Sequence, residues 1–352
     1  MTRHVYLGLS LSLLLISAGC RGGGPQAETL RLNAGGSTFV YPLMSTWASV
    51  YDKDKGVQIN YQSIGSGGGI QKMTAKEFDF GCTDAYLNEE QSQKAQKSGG
   101  AVVHVPLALG AVALIYNLEG IDETLRFSGP VLADIFMCKI TKWNDPLIVA
   151  LNPKLAGKLP DKNIVVVHRS DGSGTTHIFA DYLAKVSPEW KEKVGVSTSL
   201  KWAAATIGAK GSEGIAGQVR LNGGAIGYVE VTYALQNKIQ FGALQNQAGE
   251  FVIPRLESVT AAAKNALSQI PDDLRYSLTD APGKESYPVS GTVWAVVYTD
   301  APAGKGKAVV DFLRWAVRED GGQRSCAELH YAPLPRELVQ RIDKVLASVK
   351  VK

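Results

Sequence analysis

The sequence is poor in the residues that hold metal ions and carry redox chemistry. Its 352 residues include 4 cysteines and 5 histidines, with no C-x-x-C pair and no recognisable histidine pair. Zinc sites and thiol redox motifs need such closely spaced ligands, so neither a metal nor another cofactor is expected. A Walker A lysine loop and a G-x-S-x-G nucleophile elbow are also missing, which removes the usual signatures of phosphoryl transfer and of serine hydrolysis.

Charge of one sign is not concentrated anywhere along the chain. The net charge is +4 and the pI is about 8.7, with no basic tract interleaved with aromatic residues. Such tracts follow a nucleic-acid backbone, so no nucleic-acid partner is expected. The composition, 45% hydrophobic and 20% charged, is that of a globular protein, and neither an internal repeat nor a low-complexity tract is visible.

The N-terminal segment has the pattern of an export signal. An apolar run from Val5 to Ala18 follows Arg3 and is too short for a comfortable membrane span. It leads through small residues into Cys20, which resembles a bacterial lipoprotein cleavage site; plain secretion is the alternative. We therefore expect residues 1–19 to be a removed signal peptide and residues 20–28 to be a lipidated, flexible tether to a membrane surface.

Three further cysteines are scattered along the chain: Cys82, Cys138 and Cys326. An exported protein could pair two of them, and three buried thiols acting as small hydrophobic side chains are the other interpretation. The sequence leaves both open.

Apolar strand-like runs alternate with longer helical stretches, which indicates an α/β fold, and the chain length favours two domains. The turn-rich stretches Gly208–Gly214 and Asn222–Gly224 are interpreted as loops. The predicted strands are Val57–Tyr61, Val102–Leu107, Ala111–Tyr116, Ile164–His168, Ala225–Val229 and Thr292–Tyr298. The predicted helices are Leu43–Asp52, Gly69–Ala75, Thr175–Lys185, Lys307–Arg318 and Pro335–Val349.

Four short turns share a composition rich in glycine and hydroxyl residues, and three of them precede predicted helices. Glycine lets the backbone approach a ligand closely, and the first N–H groups of a helix have no partner within it, which favours an anion. In open α/β sheets such turns meet at the carboxyl ends of the strands. Several of them together predict one small-anion site, although a single turn of this kind is usually only a helix cap. The four turns are Gly35–Phe39, Gly65–Gly69, Gly81–Asp84 and Arg169–Thr176.

The fourth turn also contains a permanent positive charge. Arg169 supplies a forked set of donors suited to a tetrahedral oxyanion. Asp171 is expected to cap the following helix or to bridge to Arg169. Asp84 would repel an anion unless that anion carries a proton, because an ionised carboxylate can only accept hydrogen bonds. Protonated phosphate can donate one and sulfate cannot, so Asp84 is interpreted as a filter that admits phosphate and rejects sulfate.

These motifs together resemble the periplasmic phosphate-binding proteins of bacterial phosphate-specific ABC transporters. The resemblance runs from about Leu32 to Leu338. Two residues depart from the family pattern: Ser37, where the family often has alanine, and Tyr86, where proline is usual. Besides the four turns, the resemblance rests on Asp134–Phe136, Lys139–Asp145, Asn152–Pro153, Tyr182–Val186 and Gly224–Glu230.

The resemblance implies a type II periplasmic-binding-protein-like fold, with two α/β domains joined by two crossing segments and a ligand cleft between them. It places residues 29–112 and 294–352 in a discontinuous domain I and residues 113–293 in domain II. It also assigns the support of the arginine to Asp171, and Ser37 could add a hydroxyl near the ligand. The phosphate-binding residues that it implies are Thr38, Phe39 through its amide, Ser66, Asp84, Arg169, Ser173, Gly174 through its amide, and Thr175.

The expected function is that of an extracytoplasmic, lipid-anchored and monomeric receptor. It would capture inorganic phosphate and deliver it to the permease subunits of an ABC transporter, without catalysis. A phosphatase using the same anion site is the alternative, although His168 and His177, which flank the fourth turn, are better interpreted as strand-end and helix residues. A ligand-free scaffold and a receptor for another oxyanion are the remaining hypotheses.

Overall fold

The structure, a computed structural model, describes residues 1–2 and 29–351. The predicted signal-peptide cleavage site, the tether and the lipidated Cys20 lie outside the described residues. Within them, no helix is long and apolar enough to cross a membrane. Cys82, Cys138 and Cys326 are free thiols. Cys82 and Cys326 are buried, as the interpretation of three buried thiols requires, whereas Cys138 is only partly buried.

Strands and helices alternate along the described chain. The strands are β1 Arg31–Gly36, β2 Gln58–Ser63, β3 Phe80–Thr83, β4 Val102–Tyr116, β5 Arg126–Phe127, β6 Val165–Arg169, β7 Ile207–Ala209, β8 Ala225–Glu230, β9 Gln240–Phe241, β10 Ala243–Gln245, β11 Phe251–Val252, β12 Ser290–Tyr298, β13 Asp300–Ala301 and β14 Lys350–Val351. The α-helices are α1 Tyr41–Lys55, α2 Ser66–Thr74, α3 Glu89–Gly99, α4 Gly129–Phe136, α5 Pro146–Leu151, α6 Gly174–Val186, α7 Pro188–Lys193, α8 Gly211–Leu221, α9 Val231–Gln236, α10 Leu256–Ala266, α11 Lys305–Ala316 and α12 Arg336–Ala347.

The main sheet has the strand order β2-β1-β3-β12-β4-β8-β6-β7, with β9 also paired to β4. Strand β4 crosses between its two parts: it pairs with β12 as far as Ala111 and with β8 from Val112 onward. We call the part containing β1, β2, β3 and β12 lobe I, and the part containing β6, β7 and β8 lobe II. This is the expected α/β fold of two domains joined by crossing segments; the boundaries at residues 113 and 293 stay predictions.

The turns of interest lie where strands end and helices begin. In lobe I, β1, β2 and β3 are parallel, so their carboxyl ends share one edge of the sheet. In lobe II, β6 is parallel to both β7 and β8, which brings the starts of α6 and α8 to one edge as well. Each predicted strand and helix overlaps an observed element.

Two predictions about local structure are wrong. The strands predicted as Val102–Leu107 and Ala111–Tyr116 are one continuous strand, because β-structure passes through Gly110, which pairs with Gly291 of β12. The loop predicted at Gly208–Gly214 contains the end of β7 and the start of α8. Its glycines are typical of a turn, but here they allow one tight strand-to-helix connection, with Gly211 at φ +71°.

Candidate functional site

The first turn presents two backbone donors that no other described residue uses. It connects β1 to α1, and the N–H groups of Thr38 and Phe39 have no hydrogen-bond partner among residues 1–2 and 29–351. The Phe39 ring is fully buried and packs edge-on against Tyr331, with ring centroids 6.2 Å apart. Adjacent free amides of this kind form a concave site for an anion.

The second turn joins the two lobes through one hydroxyl. Ser66 begins α2, and its Oγ accepts hydrogen bonds from the Asp84 amide at 3.3 Å and from the Gly174 amide at 3.1 Å. The first donor belongs to lobe I and the second to lobe II. Because a serine hydroxyl also carries one hydrogen, Ser66 keeps a donor for a ligand.

Asp84 is a buried carboxyl group at the centre of the site, with 2% of its surface exposed. Its Oδ1 accepts from the Ser37 hydroxyl, and its Oδ2 accepts from the Thr175 hydroxyl at 3.2 Å. Burial raises the pKa of Asp84 to about 6, although hydrogen bonds from Ser37 and Thr175 and the charge of Arg169 oppose that rise. Each carboxylate oxygen has two lone pairs, so an acceptor position remains on each for an O–H of a ligand.

Arg169 ends β6 and is held by Asp171 in a fork. Its Nε and Nη2 donate to the two carboxylate oxygens at 2.7 and 2.6 Å, and its side chain is 2% exposed. Burial lowers the pKa of the guanidinium, but the hydrogen bonds and charge of Asp171 outweigh it and the net pKa is raised. A guanidinium has five N–H donors, so about three remain after the fork to point at an anion.

Asp171 bonds to Arg169, the contact that the family resemblance implied, and its part in a ligand site stays a prediction. Burial, the largest single influence, would raise the pKa of this carboxyl, but the hydrogen bonds and charge of Arg169 and the bond from the Gly211 amide together outweigh it and lower the pKa. Asp171 also accepts from the Gly211 amide at 3.1 Å. It does not cap α6; that cap is Ser173, whose Oγ accepts from the Thr176 amide at 3.1 Å.

The start of α6 approaches lobe I closely because residue 174 is glycine. A Cβ atom placed on Gly174 would lie 2.6 Å from both the Cβ and the backbone nitrogen of Asp84. Real Cβ contacts of that length do not occur, so a side chain here would push the two lobes apart. The neighbouring Thr175, which donates to Asp84, is buried, with 1% of its surface exposed.

A fifth turn completes the site, and the sequence analysis missed it. Ser212, in the first turn of α8, is fully buried, and its Oγ lies 2.8 Å from the Oγ1 of Thr38. The Ser212 amide also donates to that Oγ1 at 3.3 Å. The composition of Gly208–Gly214, rich in glycine and with a hydroxyl residue, is like that of the four recognised turns and could have identified it. No helix was predicted after this segment, so it was not grouped with the other turns.

The predicted residues therefore lie together where the two lobes meet, a region that we call the cleft. Lobe I contributes Ser37, Thr38, Phe39, Ser66 and Asp84, and lobe II contributes Arg169, Asp171, Ser173, Gly174 and Thr175.

The two residues that depart from the family pattern make different contacts. Ser37 bonds directly to Asp84, whereas Tyr86 is partly exposed at the cleft rim and packs edge-on against His177 and Trp294.

The chemistry of this arrangement favours a small anion that carries a proton. Unpaired amide, hydroxyl and guanidinium donors surround one carboxyl acceptor, and desolvation makes each of these interactions stronger than in water. No group of three or more potential metal ligands occurs among residues 1–2 and 29–351. His168 lies one residue before the end of β6, as predicted, and stacks on Trp202 with ring centroids 4.7 Å apart.

Comparisons with known proteins agree with this architecture. The family model described as PBP superfamily domain matches residues 23–320. The Phosphate-binding protein PstS of Xylella fastidiosa (strain Temecula1) is 45% identical over 325 residues, covering 92% of this chain and 86% of that protein. Its counterpart of the same name from Haemophilus influenzae is 43% identical over 321 residues, covering 90% and 93%.

Among solved structures, the periplasmic phosphate-binding protein PfluDING, bound with phosphate, superposes with a TM-score of 0.71. The two chains are 18% identical, and the match covers 90% of this chain and 93% of that one. At this identity the likeness shows the shared fold. The family model and the two curated relatives show more: this chain belongs to the PBP superfamily and, within it, to the family of the PstS phosphate-binding proteins.

Proposed function

We propose that this protein is an extracytoplasmic receptor that captures inorganic phosphate between its two lobes and delivers it to the permease subunits of an ABC transporter. The observation that carries the proposal is that two buried groups of opposite charge, Arg169 and Asp84, lie near each other without being bonded to each other. Arg169 keeps unpaired donors for an anion, and Asp84 keeps acceptor positions that only a protonated anion can use. The names of the relatives, which are phosphate-binding proteins, support the same ligand.

The ligand set follows from the donors left free in the cleft. The amides of Thr38 and Phe39, the hydroxyls of Ser66 and Ser173 and the guanidinium of Arg169 would bind phosphate oxygens. The Gly174 amide and the Thr175 hydroxyl, which bond to Ser66 and Asp84 in this structure, would turn to phosphate when it binds. Asp84 would accept the phosphate O–H. Sulfate has no proton to offer near neutral pH, so it would leave a carboxylate facing an anion oxygen without a hydrogen between them.

The cellular setting is part of the same proposal. Residues 1–19 would direct export, and acylated Cys20 would hold a monomeric protein at the membrane, periplasmic or at the cell surface, beside its permease. Labelling of Cys20 by a radioactive fatty acid, lost in Cys20→Ala, tests the anchor. Release of Cys20→Ala into the soluble fraction is the matching expectation.

Calorimetry with phosphate, sulfate and arsenate on extensively dialysed protein tests the ligand assignment. We expect tight binding of phosphate and arsenate, which both carry a proton, and little heat from sulfate. Equal affinity for phosphate and sulfate would refute the role of Asp84.

Turnover of a chromogenic phosphoester that disappears in His168→Ala or His177→Ala would favour the phosphatase alternative instead.

A further inference from the structure

Three consecutive carbonyl groups of the first turn are each held by a tyrosine hydroxyl. Tyr61 donates to the carbonyl of Ser37 at 2.8 Å, Tyr233 donates to that of Thr38 at 2.6 Å, and Tyr331 donates to that of Phe39 at 2.6 Å. Fixing these carbonyls also fixes the peptide planes between them. The free amides of Thr38 and Phe39 are therefore held in one orientation.

The three tyrosines differ in the lobe from which they reach the turn. Tyr61 lies on β2, and Tyr331 precedes Ala332, which bridges to Leu109 in the lobe I part of β4. Tyr233 lies on α9, which packs against β8 of lobe II. Two of the three bonds are internal to lobe I, and the bond from Tyr233 joins lobe II to lobe I.

A second contact from lobe II reaches the same residue. Ser212 donates its amide to the Thr38 Oγ1 and places its own Oγ 2.8 Å from that atom. Thr38 is thus held at both its carbonyl and its hydroxyl by groups from the other lobe. Thr38 belongs to the ligand set that the family resemblance implied. Tyr233 and Ser212 do not.

An acceptor within lobe II is available to Tyr233 when the lobes separate. The Glu213 Oε1 lies 3.2 Å from the same hydroxyl. A phenol has one hydrogen, so it can bond fully to only one of the two acceptors at a time, and the 2.6 Å distance favours Thr38. On opening, the hydroxyl can turn to Glu213 and need not stay unpaired, which keeps the exchange reversible.

We propose that Tyr233 is a positioning residue whose bond to the Thr38 carbonyl, assisted by Ser212, couples lobe closure to the orientation of the phosphate-binding amides. The inference rests on the proposed function for its ligand. Because the bond forms after closure, losing it destabilises the closed complex without changing the open form that phosphate first meets.

The test is stopped-flow kinetics of phosphate binding with Tyr233→Phe, together with small-angle X-ray scattering with and without phosphate. We expect phosphate dissociation to accelerate about 2- to 10-fold, the range for one hydrogen bond, with association unchanged within about twofold. Scattering should show a larger radius of gyration for the variant at phosphate concentrations that close the unaltered protein. Ser212→Ala should change dissociation in the same direction.

Tyr61→Phe is the matched control, since it removes the same hydroxyl from the neighbouring carbonyl within lobe I. Whether or not Tyr61→Phe weakens phosphate binding, it should not increase the radius of gyration in the presence of phosphate, as Tyr233→Phe should. Unchanged dissociation in Tyr233→Phe, or equal opening in both variants, would overturn the proposal. If the unaltered protein binds no phosphate, the proposed function falls and this inference falls with it, whereas phosphate binding by the unaltered protein with unchanged dissociation in Tyr233→Phe overturns this inference alone.

Discussion

The carboxylate of Asp171 accepts two hydrogen bonds from Arg169, at 2.7 and 2.6 Å, and gives this buried guanidinium its only carboxylate fork among the described residues. A buried charge that loses its partner is destabilising by about 3–5 kcal/mol. Asp171 is 12% exposed at its side chain, so water compensates part of that loss.

Asp171→Asn should therefore lower the free energy of unfolding of the phosphate-free protein by about 2–4 kcal/mol. Chemical denaturation of dialysed protein measures it. Asp161→Asn is the control, because Asp161 also pairs with a cation, Lys142, but at an exposed site where an ion pair contributes about 0–1 kcal/mol. Equal losses in the two variants would show that the fork around Arg169 has no special role in stability.

Replacing Asp84 by asparagine should weaken the preference of the cleft for phosphate over sulfate. Asparagine keeps the size of the side chain and removes its charge, and its NH₂ can donate to an oxygen that has no proton. We expect Asp84→Asn to bind phosphate more weakly and sulfate more tightly, narrowing the ratio of the two affinities by about 10-fold or more. Calorimetry with both anions measures that ratio. An unchanged ratio would mean that Asp84 is a structural residue.

Acidification should stabilise the ligand-free protein through Asp84. The pKa of this carboxyl is about 6 in the folded state and near 3.8 ordinarily, with burial as the leading cause. As the pH falls, the folded state therefore takes up a proton before the unfolded state does, so this group adds stability below pH 6 and the gain is complete below about 3.8. From about pH 7 to about pH 5 the gain is about 1 kcal/mol.

Asp84→Asn isolates that gain from the other titrating groups. Glu230 is fully buried and its pKa is also raised, first by burial and last by the charge of Asp84, so its contribution has the same direction in both proteins and is slightly smaller in Asp84→Asn. The difference in unfolding free energy between the unaltered protein and Asp84→Asn, measured at both pH values, should change by about 1 kcal/mol. A difference that stays constant with pH would place the pKa of Asp84 near its ordinary value.

Local sequence patterns predicted much of the fold because each signal lay within a few residues. Strand β6 and helix α6 are separated by a turn whose glycines, serines and threonines are adjacent in the chain, so strand, turn and helix were all visible there. The same turn offered two cap residues to the sequence analysis, and the one expected, Asp171, is not the one observed, Ser173. The prediction that these turns share one site came from the rule that parallel strands end at one edge.

The contacts that close the cleft were not predictable in this way, since their partners are far apart in sequence. Ser212 meets Thr38 across 174 positions, and Tyr331 meets Phe39 across 292. A tyrosine that binds a carbonyl has no local pattern of its own. The prediction of a loop at Gly208–Gly214 was wrong for a related reason. Glycine at the start of a helix is also typical of turns, and only the packing of α8 on β8 shows that a helix follows.

Close approach of the lobes at Gly174 leads to a last prediction. Gly174→Ala places a Cβ 2.6 Å from Asp84 backbone and side-chain atoms, so the lobes can no longer close fully without displacing that residue. Crowding of this kind costs about 1–3 kcal/mol, which corresponds to phosphate binding roughly 5- to 150-fold weaker.

Gly217→Ala is the control, because Gly217 lies within α8 and its Cβ would meet nothing within 4 Å. That variant should bind phosphate as the unaltered protein does and gain up to about 1 kcal/mol of stability from helix propensity. Calorimetry and thermal unfolding of the two variants separate a closure defect from a general effect of adding a methyl group, and normal phosphate affinity in Gly174→Ala would contradict the closed geometry described for this cleft.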